Sequence, residues 1–158
     1  MEEFARQHPA VFPAAFPAFF VVLWVAVGCI VSMVGGWWGL AQRYRTERPF
    51  PDHRRRMQNG QMRSAVGYNN VLTLASDPEG FYMGVMFFFR LGHPRLFIPW
   101  ADIEIEAPKR WLFFKVQTLR LGPDRIPLRL REPLVDFLLV GKGAGELRDQ
   151  QNPHPTGF

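Results

Sequence analysis

The stretch from Pro17 to Ala41 reads PAFFVVLWVAVGCIVSMVGGWWGLA and holds no charged residue. At about 1.5 Å of rise per residue, a helix of this length spans roughly 37 Å, enough to cross a hydrocarbon core of about 30 Å with some tilt. A soluble helix rarely stays apolar on every face for so long. The stretch therefore predicts a transmembrane helix over residues 17–41 and a protein whose first partner is the lipid bilayer. Residues 1–16 form a short N-terminal tail, interrupted by Pro9 and Pro13. Pro17 suits a first helical turn, where its missing N–H is not needed.

The charge must be located before it is interpreted. The chain of 158 residues carries a formal charge of +5, and its pI is about 10.0. Residues 43–63 contain seven Arg against Glu47 and Asp52, whereas residues 64–158 are close to neutral. The basic character thus belongs to a juxtamembrane linker, residues 42–63, which argues against a nucleic-acid surface. Arg43, Arg45, Arg48, Arg54, Arg55 and Arg56 follow the apolar run, while Arg6 alone precedes it beside Glu2 and Glu3. That asymmetry predicts a single-pass protein with its N-terminus outside and its C-terminal side in the cytoplasm. Trp37, Trp38 and Tyr44 then read as an interfacial aromatic belt. Arg54, Arg55 and Arg56 are candidate contacts to anionic lipid headgroups, although fixing topology alone explains them.

Cys29 is the single cysteine, so no intrachain disulfide forms. A lipoprotein cleavage at Cys29 fits poorly, because the run stays apolar after it and acidic residues open the chain. Gly28, Ser32 and Gly36 recur at spacing four. Such a small-residue stripe lets two helices approach in lipid, pointing to a homodimer or a membrane-protein partner.

From Tyr68 onward, short apolar runs alternate with turn signals. Val71–Ala75, Phe81–Phe89, Arg95–Ile98, Ala101–Glu106, Trp111–Leu121 and Ile126–Leu130 are predicted strands, the second broken near Gly84. Glu132–Val140 reads as a helix with Pro133 in its first turn, stopped by the glycines of 141–145. Residues 64–148 form one domain and residues 149–158 a disordered tail. The expected class is mainly β, with a short C-terminal helix.

This order of elements resembles the pleckstrin-homology-like (PH-like) superfold, including its bacterial and GRAM-type relatives. The resemblance rests on the hairpin Leu72-Thr73-Leu74 to Gly80-Phe81-Tyr82 and on Ile98-Pro99-Trp100-Ala101-Asp102-Ile103. The chain is also similar to short bacterial membrane proteins that join one helix to such a domain. The resemblance implies an antiparallel β-barrel or sandwich used for docking rather than catalysis.

Chemical motifs are sparse. His8, His53, His93 and His154 show no metal-ligand spacing, and His93 in Gly-His-Pro reads as a turn residue. No nucleophile elbow, P-loop or dinucleotide fingerprint occurs. Asp102, Glu104 and Glu106 would share one strand face at about 7 Å steps, as a solvated row or a cation-binding one. Lys109, Arg110 and Trp111 are further candidates for headgroup contact. No catalytic, cofactor-binding or metal residue is expected. The sequence points to a non-catalytic binding or adaptor domain at the bacterial inner membrane, with an anionic-lipid sensor as the alternative and a small membrane enzyme behind both.

Overall fold

The computed structural model describes residues 11–63 and 66–151. Helix α1 covers Val11–Gly35, and α2 covers Trp37–Tyr44. Eight strands follow: β1 (Arg55–Met62), β2 (Val66–Ser76), β3 (Gly80–Val85), β4 (Leu96–Pro99), β5 (Ile103–Ile105), β6 (Lys109–Trp111), β7 (Phe114–Leu121) and β8 (Ile126–Arg131). Helix α3, Glu132–Gln151, ends the described chain.

The strands form one antiparallel sheet in the order β4-β3-β2-β1-β8-β7-β5, with β6 extending the β5 edge along β7. The two edge strands, β4 and β5, are joined by the three residues of a 3-10 turn, Trp100–Asp102. That short link brings the edges together and makes the sheet a nearly closed barrel. Near-closure leaves few unpaired backbone groups for a neighbouring chain to exploit.

Strand alternation supplies the interior. Leu72 and Leu74 of β2, Phe81 and Met83 of β3, Leu96 and Ile98 of β4, Leu119 and Leu121 of β7, and Leu128 and Leu130 of β8 are all buried. Each β-strand sends alternate residues to one face, so these positions meet inside. Both mouths are stoppered. At one mouth α2 inserts Trp37, Leu40 and Tyr44, and Tyr44 lies against Gly122 of the β7–β8 turn. At the other, α3 inserts Leu134, Val135 and Leu138, and Ser76 donates its hydroxyl to the Leu138 carbonyl at 2.7 Å.

Several sequence expectations change. The apolar run is not one helix: Gly36 adopts a left-handed conformation, φ 83°, which breaks the axis between α1 and α2. Helix α1 starts at Val11, so Pro17 lies inside it rather than in its first turn. Trp37 and Tyr44 belong to the domain core rather than to an aromatic belt; only Trp38 is exposed. Residues 55–62, expected in a linker, form β1 between β2 and β8. Phe87–Phe89 form a 3-10 turn and leave β3 at Val85. The expected strand over 111–121 is a hairpin, β6 and β7. Helix α3 runs through the glycines that were expected to stop it. The tail expectation falls partly on 152–158, outside the described residues.

Candidate functional site

The distinctive region is where α1 meets the barrel. Helix α1 ends at Gly35, where an added Cβ would lie 3.1 Å from the Tyr68 hydroxyl. Gly36 then turns the chain so that Trp37 enters the core. The Trp37 indole N–H donates to the Pro94 carbonyl at 3.0 Å, and its ring meets Tyr68 and His93 at centroid distances of 5.7 and 5.0 Å. Tyr68 Oη and His93 Nε2 share a hydrogen bond of 3.0 Å. Loss of water raises the Tyr68 pKa and lowers that of His93, so both are neutral near pH 7. His93, expected as a plain turn residue, is therefore a buried part of the joint. The Phe89 backbone lies close enough to favour the charged ring slightly, but Nδ1 makes no hydrogen bond of good geometry among the described residues.

A second contact lies higher on α1. The β3–β4 loop runs back along the helix, and the Trp24 indole N–H donates to the Phe88 carbonyl at 3.3 Å. The Trp24 and Phe89 rings stand 5.3 Å apart. Gly92, φ 151°, brings the loop so close that a Cβ there would lie 3.3 Å from the Gly28 carbonyl oxygen and 3.4 Å from Cys29 Cα. Between helix, loop and β2 lies an apolar groove of about 300 Å³, bordered by Trp24, Gly28, Val31, Tyr68, Phe89 and His93.

The loop itself is unusually apolar outside. Phe87 is 73 % exposed, Phe88 69 % and Leu91 65 %. Behind it opens a cleft of about 420 Å³ whose lining includes Arg54, Arg56, Arg90 and Arg95 and no carboxylate. Arg90 lies over the Phe87 ring at 5.8 Å and Arg95 over the Phe50 ring at 5.7 Å. None of these four arginines belongs to an ion pair among the described residues.

The sequence candidates are thus dispersed. Arg54 and Arg56 share the cleft, but strand alternation sends Arg55 the other way, over Phe137 at 4.5 Å. Lys109 and Arg110 sit in β6, at the start of a hairpin whose tip exposes Leu112 and Phe113. That tip is at the opposite end of β7 from Leu121 and its neighbour Gly122, which touches α2. The Trp111 side chain lies outside the described residues. Of the stripe, Ser32 is fully buried with an unpartnered hydroxyl, Gly28 borders the groove, and Gly36 has left the helix. Asp102 lies in the 3-10 turn and accepts from the Tyr44 hydroxyl at 2.8 Å. Glu104 pairs with Arg125 and Glu106 with Arg120. Among the described residues, no group of three His, Cys, Asp or Glu could hold a metal.

From sequence, Phe87 and Phe88 read with Met83, Met86 and Phe89 as a strand apolar on both faces, suited to core burial or, alternatively, to contact with the bilayer or a partner; Arg90 and Arg95 are not site candidates there. The available signal was a run of three phenylalanines followed by Arg90, with Arg95 just after the Gly-His-Pro turn. Comparison of the chain with protein-family models, curated proteins and solved structures gave no match.

Proposed function

We propose that this protein is a single-pass, membrane-anchored binding or adaptor protein, without catalysis, that holds a PH-like domain rigidly against a bacterial inner membrane. The observation that carries this reading is the bare apolar surface of α1. Phe16–Gly35 is long and apolar enough to span a membrane, and almost none of it is covered by the protein. Phe16, Phe19, Phe20, Val22 and Ile30 all stand exposed. Leaving that surface in water would cost about 25 cal/mol for each Å², whereas lipid covers it without penalty. The nearly closed barrel with a helix at one mouth is compatible with a PH-like fold. The basic residues after α1 favour a cytoplasmic domain.

The joint at Trp37 and Tyr68 distinguishes this anchor from a flexible tether. A domain held by packed aromatic side chains keeps one face toward the bilayer and raises the effective concentration of any partner there. The polar side chains that meet do so in structural pairs, such as Tyr44 with Asp102 and Arg48 with Glu79, which supports binding over chemistry.

The test is fractionation with topology reporters. The full chain should stay in the membrane pellet through alkaline carbonate extraction, and a reporter fused after Phe158 should work only as a cytoplasmic one. Release by carbonate would overturn anchoring; periplasmic activity would overturn the orientation.

A further inference from the structure

We propose that the β3–β4 loop and the arginine cleft behind it form a binding site for an anionic phospholipid of the bilayer that α1 crosses. Phe87, Phe88 and Leu91 would enter the acyl layer, and Arg54, Arg56, Arg90 and Arg95 would hold the headgroup phosphate. The inference rests on the membrane-anchored reading above and adds the ligand and the residues.

Depth along α1 is the first argument. Loop residues Phe88 and Phe89 touch Trp24. From Val11 to Trp24 the helix rises only about 20 Å, short of a hydrocarbon core of about 30 Å. The sequence before Val11 carries Glu2, Glu3, Arg6 and His8 and adds little apolar length. The hydrocarbon boundary therefore falls on the domain side of Trp24, and the loop beside Trp24 lies within the apolar layer. Its composition matches that position: four exposed large apolar side chains in the five residues 87–91.

Charge is the second argument. The cleft gathers four guanidinium groups with no carboxylate in its lining, whereas Arg48, Lys115 and Arg125 each face a carboxylate and Arg120 and Lys109 share Glu106. Four like charges left unpaired favour an anionic ligand, and arginine suits phosphate because its planar fork donates two parallel hydrogen bonds. The backbone sets the vertical order. Leu72 pairs with Val85 and Thr73 with Gly84, and the Met86 N–H donates to the Val71 carbonyl at 2.9 Å. The loop thus leaves β3 toward the end of β2 that meets α1, and the cleft, which includes Thr73 and Gly84, lies beneath it. Apolar tip above and arginines below is the order in which a phospholipid presents chain and phosphate.

The experiment uses the full chain in nanodiscs of phosphatidylcholine with a minor fraction of phosphatidylglycerol. Spin-labelled phosphatidylglycerol and phosphatidylcholine report relative association with the protein. The wild type should prefer phosphatidylglycerol. Arg54→Gln, Arg56→Gln and Arg90→Gln should each lower that preference by up to about fivefold, by analogy with basic residues near a charged bilayer. Lys109→Gln with Arg110→Gln, at the far end of the barrel, should leave it unchanged. A nitroxide at Phe88→Cys in a Cys29→Ser background should be reached more readily by oxygen than by a water-soluble nickel chelate. A protein that enters the nanodisc without lipid preference, or whose preference survives the arginine changes, overturns this inference alone. A label exposed to the chelate overturns the loop's placement. A protein that does not enter the nanodisc overturns the anchored reading itself.

Discussion

Trp37 and Pro94 are joined by an indole N–H to carbonyl hydrogen bond of 3.0 Å, which ties the start of α2 to the segment leading into β4. Trp37 is fully buried, so this bond is shielded from water and the ring fills the mouth of the barrel. Trp37→Ala should destabilise the domain by about 3–5 kcal/mol through the cavity it leaves. Trp37→Phe should cost less, but more than about 1 kcal/mol, because the Pro94 carbonyl loses its donor. Thermal unfolding of the two variants in detergent checks the order; equal stability to wild type would remove Trp37 from the core.

His93 predicts a pH effect with a definite sign. Burial holds its pKa below the ordinary 6.5. The unfolded chain therefore takes up the proton first as pH falls, and the folded state loses stability from about pH 6.5 down to the folded value. Above 6.5 both states are neutral at this site and its contribution is constant. Equilibrium unfolding between pH 5 and 8 should show the loss in wild type and a flatter profile in His93→Phe.

Tyr68→Phe isolates the shared hydrogen bond. It removes the hydroxyl from His93 Nε2 and leaves a buried nitrogen unpaired, at a cost of about 1–3 kcal/mol. Denaturant titration reads it directly. Restoration of wild-type stability by combining Tyr68→Phe with His93→Phe would show that the cost lies in the orphaned imidazole.

The contact between α1 and the Gly92 turn is asymmetric. A Cβ at Gly28 meets nothing within 4 Å, whereas one at Gly92 meets Gly28 and Cys29 and must adopt a positive φ. Gly28→Ala should be tolerated to within about 0.5 kcal/mol, as at an unencumbered surface site. Gly92→Ala should cost about 1–3 kcal/mol. Melting temperatures of the two proteins decide the point.

Gly141 marks a similar close approach at the other mouth. An added Cβ would lie 2.2 Å from the Ser76 hydroxyl oxygen and 2.9 Å from the Ser76 carbonyl oxygen. Gly141→Ala should therefore destabilise by about 1–3 kcal/mol, as overpacking does, despite the better helix propensity of alanine. A gain in stability would mean that α3 shifts freely on the sheet.

These positions show which signals are local. The apolar run, the strand over Ile126–Leu130 and the hairpin from Leu72 to Tyr82 follow from short-range periodicity and turn chemistry, and they are readable in the sequence. Trp37 was misplaced because its fate depends on a single left-handed residue, Gly36, and composition shows no break there. The glycines after Val140 signal a stop because clustered glycine disfavours helix, whereas the close approach of Ser76 requires glycine at 141. The site was less legible still. Adjacency in sequence grouped Arg55 with Arg54 and Arg56, yet the pleat of a strand separates neighbours. Arg90 and Arg95 join the cleft only after β3 and β4 pair, a contact invisible to any local window.

The Gly36 turn also sets what the later strands must enclose. Trp37 and Leu40 emerge from the ribosome well before Leu119, Leu121, Ile126 and Leu128, the walls that enclose them. The stopper is made before the vessel, and the last strands must close around a residue already waiting at the end of α1. A fragment trimmed at Gln42, where composition alone would place the cut, keeps every strand and loses Trp37 and Leu40 from the stopper.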